Sequence, residues 1–265
     1  MSNRVQKHGE TILQNTRSLI SLRYHTVTKA INKEFWNSTS DTLHSIYVGS
    51  YGRNTAIDTS DIDILVELPS SLFDRYNNLS GNSQSRLLQA VRNAIRSAYL
   101  RSDVRADGQV VKIAFSDEMY FEIVPAFKSW GGSYKYPDSN TGGSWRSTNP
   151  KAEQEAMAQK NKISNGLLYD TCRHIRYIRD NYFSSYHLSG IVIDSFVYNA
   201  IGNWRWLNSG ESSPSPSGTY EQVLLDYYNQ HGISYGMSIN APGSNDTVST
   251  SSSYECLRKV LRNMI

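Results

Sequence analysis

Long apolar runs are missing from this sequence. No stretch approaches the ~18 apolar residues that a membrane-spanning helix needs, and Met1 to Glu10 hold no apolar core of an export signal. The expectation is a soluble, cytoplasmic chain with no membrane partner. Cysteine is scarce: only Cys172 and Cys256 occur. They form no metal-ligand spacing, fall in helical patterns and read as buried free thiols. Six histidines are scattered without a pair at metal-binding spacing, which argues against zinc. Charge of one sign is also in short supply. The formal balance is +3, so direct nucleic-acid binding is not required. No internal repeat is detectable.

What is present is length and aromatic content. The 265 residues, with 18 Tyr and 5 Trp, can bury one large core or two small ones. Val5 to Trp36 carries apolar residues near the helical period and is expected to be one long helix, frayed near Gly9. Asn37 to Asp41 is a polar break. Ser83 to Leu100 reads as an amphipathic helix whose Arg86, Arg92, Arg96 and Arg101 form a solvated basic face. Gln109 to Phe115 and Met119 to Pro125 read as strands joined at Ser116-Asp117-Glu118. Lys128 to Pro150, rich in Gly, Ser and aromatics, reads as a long functional or mobile loop. Lys151 to Asn181 is helical with a break near Ser164-Asn165-Gly166. Another helix is expected from Tyr186 to Trp204, capped by Ser185. Asn208 to Thr219 is a low-complexity loop. Tyr220 to Gln230 and Ser253 to Met264 are helices flanking an irregular stretch.

The chemistry concentrates between residues 43 and 66. Leu43 to Val48 reads as a strand, and Gly49-Ser50-Tyr51-Gly52-Arg53-Asn54-Thr55 as a glycine-bearing turn. Asp61-Ile62-Asp63-Ile64-Leu65-Val66 reads as a second strand. Strand side chains alternate, so Asp61 and Asp63 point to one face. Two carboxylates that close repel unless a cation lies between them, and hard oxygen donors suit Mg2+, with Mn2+ as a substitute. Gly49 and Gly52 allow backbone N–H groups to approach an anion. Ser50 and Thr55 add hydroxyls, and Arg53 adds a cation. A phosphate cradle beside a two-carboxylate metal site outlines a nucleotidyl-transfer centre. Glu122 is an acid inside the apolar run Phe121-Glu122-Ile123-Val124-Pro125. An unpaired buried carboxylate is costly, so it should face a cation or a cleft.

Gly-Ser-x-x-Arg-x-Thr followed by Ser-Asp-Ile-Asp resembles the signature of the polymerase β-like nucleotidyltransferase superfamily. Within it the chain most resembles the bacterial cGAS/DncV-like nucleotidyltransferases (CD-NTases). That resemblance implies an α/β fold: a nucleotidyltransferase core with a mixed sheet, a long N-terminal spine helix and a helical C-terminal lobe. Phe121 to Phe127 is similar to the strand that carries the family's third carboxylate, with Glu122 where Asp is commoner. Asp61, Asp63 and Glu122 are then the catalytic metal ligands. Trp145-Arg146-Ser147-Thr148-Asn149-Pro150 is similar to the element leading into the second lobe, which divides the chain into 1–150 and 151–265. Arg173 to Asp180 and Ser184-Ser185-Tyr186-His187 resemble the C-lobe of cyclic GMP-AMP synthase. Carried over, Arg176 and Ser185 contact phosphate and Tyr186 stacks on a nucleobase. Asn161, with Asn165 as its rival, corresponds to a base-reading helix Asn. The bland alternative is a solvated arginine face and a helix cap.

CD-NTases join nucleoside triphosphates, as donor and acceptor, into cyclic di- or trinucleotides that activate an effector in anti-phage (CBASS-type) defence. The resemblance implies this activity here, by a monomer acting on its effector through the product. Linear oligonucleotide synthesis, nucleotide transfer to a small molecule or protein, and a non-catalytic nucleotide sensor remain alternatives.

Overall fold

The computed structural model describes residues 4–9, 11–57, 61–231 and 233–265. The link at 58–60, including Ser60 of the motif, lies outside the described residues. The chain forms two compact units.

The first unit takes Ile12–Gly52 and Thr59–Pro150. It opens on helix α1 (Gln14–Phe35), then strand β1 (Ser45–Val48), a single helical turn α2 (Gly49–Gly52) and strand β2 (Ile62–Leu68). Helices α3 (Ser71–Asn77) and α4 (Ser83–Ala98) follow. Asn82 caps α4 by accepting from Ser85 N at 2.9 Å. Strands β3 (Asp103–Asp107), β4 (Val110–Ala114), β5 (Tyr120–Lys128), β6 (Tyr134–Asp138) and β7 (Ser144–Thr148) complete it.

The sheet runs β1-β2-β5-β4-β3, with β6 joining β5 and β7 beyond. It is mixed: β2 and β5 are parallel, and the other pairs are antiparallel. Period-two alternation buries Ile62, Ile64, Val66 and Leu68 on one face of β2. The opposite face carries Asp63 and Glu67, with Leu65 packed among Val48, Ala126 and Tyr134. Arg86, Arg96 and Arg101 are exposed, as a solvated face requires. Arg92 is half-buried and donates to Val104 O at 2.9 Å.

The second unit takes Lys151–Ile265 together with Met1–Thr11 and Arg53–Asp58. Helices α5 (Pro150–Ile163), α6 (Leu167–Tyr182), α7 (Gly190–Ala200), α8 (Thr219–Gln230) and α9 (Tyr254–Asn263) surround its core. A small hairpin, β8 (Ser238–Asn240) and β9 (Thr247–Ser249), precedes α9. The core joins Leu168, Ile175, Phe196, Val197, Leu224 and Leu257 with Val5. The break between α5 and α6 falls where expected, with Asn165 and Gly166 both at positive φ.

Four expectations change. Helix α1 starts at Gln14 rather than Val5, because Val5 is buried in the helical core. There Arg4 N and Val5 N donate to Glu221 Oε1 at 2.9 and 3.2 Å. Secondly, residues 128–150 are not a loop throughout. They hold β6 and β7, whose ladder runs from Tyr134↔Thr148 to Asp138↔Ser144. Thirdly, strand β3 was not expected; only Val104 of its five residues is buried, so it lacks an alternating apolar signal. Finally, Ser185 caps no helix. Helix α7 begins at Gly190, and its cap is Ser189, accepting from Val192 N at 3.4 Å.

Candidate active site

Strand pairing brings the acids of the first unit together. Asp63 on β2 is the register partner of Glu122 on the parallel strand β5, so the two carboxylates share a face. Asp61 lies two residues before Asp63, just ahead of β2, and is exposed. Its carboxyl is held above the usual range by partial burial and then by the negative charge of Glu122, with Lys112 pulling the other way. These groups feel one another.

Gly49 abuts the same cluster. Its φ is +60°, a conformation in which Cβ-bearing residues are strained. A Cβ there would collide with Asp63 Oδ2 and stand 2.6 Å from its Cγ. The glycine is thus needed twice, for its backbone and for the carboxylate beside it. Gly49→Ala is expected to destabilise the sheet unit by about 1–3 kcal/mol, read as a lower urea midpoint. An unchanged midpoint would mean that the turn relaxes freely.

Among the described residues, no three His, Cys, Asp or Glu side chains close on a single point as a ready metal cage. Glu122 is engaged elsewhere: its Oε1 is 3.2 Å from Lys112 Nζ. Lys112 is also 3.1 Å from Asp107 Oδ2. Hydrogen bonds to Asp107 and then Glu122 hold its ammonium above the ordinary lysine range. The donor set still fits Mg2+ in kind. It offers carboxylate oxygens at one end of a sheet, holds Asp61 up by burial and then by the charge of Glu122, and excludes a Cβ beside Asp63.

Other expected ligand contacts are corrected in the helical unit. Arg176 is 1% exposed. Its Nη1 donates to Asp194 Oδ1 at 2.7 Å, and its Nη2 to Asp194 Oδ2 at 2.9 Å and Gly190 O at 3.1 Å. Arg53 is buried as well, with Nε 2.8 Å from Asp194 Oδ2 and Nη1 2.9 Å from Glu153 Oε2. Thr55 Oγ1 donates to the same Asp194 oxygen at 2.9 Å. Arg53 and Arg176 neutralise this buried aspartate, and Thr55 helps to orient it. They are not presented to a phosphate. Burial pushes the Asp194 carboxyl up, but Arg176 and Arg53 outweigh it and take it down to about 2.

Asn161 is half-buried, and its Oδ1 accepts from Tyr169 N at 3.0 Å, which caps α6. Its acceptor is therefore already engaged. Asn165, the rival, donates to Trp206 O and Asn208 Oδ1, each at 3.1 Å. Ser185 and Tyr186 are exposed. Tyr186 lines a cavity of about 420 Å3 with Arg179, Asp180, Ser184 and His187, and Lys259 Nζ sits 4.6 Å from its ring centroid.

The comparison that decides the family covers the acid-bearing region. A model described as the Second Messenger Oligonucleotide or Dinucleotide Synthetase (SMODS) domain matches residues 9–161, more than half of the chain. The chain belongs to the SMODS family. The chain is 29% identical over 158 residues to a cyclic AMP-AMP-AMP synthase of Acinetobacter sp., covering 58% of this chain and 45% of that protein. A probable cyclic nucleotide synthase of Bacillus cereus is 24% identical over 157 residues, covering 55% and 45%. The match spans less than half the length of each of these curated relatives.

Solved structures share this chain's fold over nearly its whole length. The Rhodothermus marinus CdnE c-UMP-AMP synthase, solved with Apcpp and Upnpp, superposes with a TM-score of 0.66 at 15% identity, covering 98% of this chain and 94% of that one. The Elizabethkingia meningoseptica CdnE cyclic dinucleotide synthase, solved with GTP and Apcpp, gives 0.62 at 16% identity, covering 98% and 93%. The mixed-sheet nucleotidyltransferase architecture expected from the sequence is therefore the fold of this chain. Among the described residues, no helix is long and apolar enough to cross a membrane.

Proposed function

We propose that this SMODS protein joins nucleoside triphosphates into a cyclic di- or trinucleotide second messenger and releases pyrophosphate. The observation that carries this reading is the Asp63–Glu122 register pair, set beside a glycine that only a side-chain-free residue can occupy. Its family membership and its two named synthase relatives support the same chemistry. In this reading the product activates an effector in anti-phage signalling.

Asp61, Asp63 and Glu122 would hold Mg2+, with Mn2+ as a substitute. When bound, such ions offset charge on the attacking and leaving oxygens of an in-line displacement. The protein's own part is positioning. Strands β2 and β5 fix two carboxylates on a rigid ladder, so little order is lost when substrate arrives. Gly49 leaves room for the Asp63 carboxylate, and Ser50 offers a hydroxyl to the triphosphate tail. Exposed Tyr186 offers a flat face for a base, and Ser185 beside it offers a hydroxyl.

Incubation with four labelled triphosphates, followed by phosphatase, tests the reaction. A labelled product that resists phosphatase is expected. A phosphatase-sensitive product would mean linear oligonucleotides. Nucleotide binding without pyrophosphate release would mean a sensor.

A further inference from the structure

The row of acids contains a cation. Lys112 on β4 is the register partner of Glu122 on β5. Glu122 is in turn the partner of Asp63 on β2. Asp107 on β3 pairs with Val110, two residues from Lys112 and hence on its face. Four side chains therefore run across three strand boundaries on one face: Asp107, Lys112, Glu122, Asp63. The Lys112 ammonium is shared between Asp107 at 3.1 Å and Glu122 at 3.2 Å.

With no divalent ion, Asp61, Asp63 and Glu122 repel one another. An ammonium on Glu122 relieves that repulsion. A divalent ion seated on the same carboxylates would meet that ammonium as a like charge. We propose that Lys112 is an internal counter-ion, occupying Glu122 until a divalent ion takes that carboxylate, and so sets how much metal the site requires. Asp107 makes the exchange reversible. It keeps hold of the ammonium when Glu122 lets go, so the lysine stays within reach. The inference rests on Asp61, Asp63 and Glu122 being the metal ligands.

Lys112 is half-exposed, 47% at its side chain, so solvent screens the pair and the effect is moderate. In the full chain without nucleotide, Mn2+ binding followed by electron paramagnetic resonance gives the direct reading. Lys112→Met is expected to bind Mn2+ about three- to tenfold more tightly than the parent. Lys112→Arg, which keeps the charge, is expected to stay within about twofold of the parent. A thermal melt establishes that each variant is folded, and Lys112→Gln replaces the Met variant if that one is not.

Equal or weaker Mn2+ binding by a folded Lys112→Met, with the parent binding normally, overturns the inference and leaves the reaction assignment standing. Absence of Mn2+ binding from parent and variant alike overturns the inference, and the reaction assignment is then judged by the phosphatase-resistant product alone. Unfolding of both neutral variants would assign Lys112 to the sheet's stability and also overturn the proposal.

Discussion

Asp61→Ala combined with Asp63→Ala is expected to reduce pyrophosphate release by about a thousandfold or more, with the fold retained. The size follows from the role. Charge stabilisation at the reacting oxygens is worth several kcal/mol, and each ~1.4 kcal/mol is a factor of ten in rate. Retention of the fold follows from position. Asp61 is exposed and precedes β2, and Asp63 points away from the face that buries Ile62, Ile64 and Val66. Removing two mutually repelling carboxylates should leave the melting temperature unchanged or raise it. Pyrophosphate release from mixed triphosphates, alongside a thermal melt, measures both. Turnover within tenfold of the parent by a folded double variant would remove these residues from the chemistry.

The second large effect concerns stability. Asp194→Asn is expected to cost about 3–5 kcal/mol, because breaking a buried ion cluster leaves charge uncompensated. Asp194 is 0% exposed. It is held by both Arg53 and Arg176, and the variant would leave Arg176 without a carboxylate and Arg53 with Glu153 as its remaining ion pair. The pH dependence has a definite sign. Asp194 titrates at about 2 in the folded chain and at about 3.9 when unfolded. Its contribution is present in full above about pH 4 and is lost as pH falls towards 2. The gap between parent and variant should therefore be largest near neutrality and narrow in acid. Urea denaturation at pH 7 and pH 3 reads it. A gap that stayed constant would contradict the depressed carboxyl.

The two carboxylates that strand pairing sets side by side each break a pattern in the sequence. Asp63 alternates with apolar residues, and Glu122 interrupts an apolar run, so both had to face something polar. Asp194 sends the same signal, an acid within Ile193-Asp194-Ser195-Phe196. What sequence does not disclose is which cation answers which acid. Arg53 and Arg176 were read towards phosphate because of their motifs, whereas long-range packing commits them to Asp194. Lys112 was hidden for a related reason. Its place opposite Glu122 depends on the length of the turn at Ser116-Asp117-Glu118, and one residue more or less would put it on the other face. The β6–β7 ladder was concealed by Gly142 and Gly143, which read as loop residues although they turn a hairpin. The resemblance carried by the glycine turn and the paired aspartates implied the fold class. The pairings came from closure of the sheet.

The hold of Glu221 on Arg4 and Val5 bridges 217 and 216 positions of the chain. During translation the first of these residues leaves the ribosome long before its acceptor is made. Val5 must wait in an unfinished chain until α8 and α9 supply the remaining walls of its pocket. Ring closure over that span carries the entropy of a very long loop, which grows only slowly with length but delays assembly. The helical unit is therefore sealed by residues made well before their partners, and it cannot close until α8 and α9 have been synthesised.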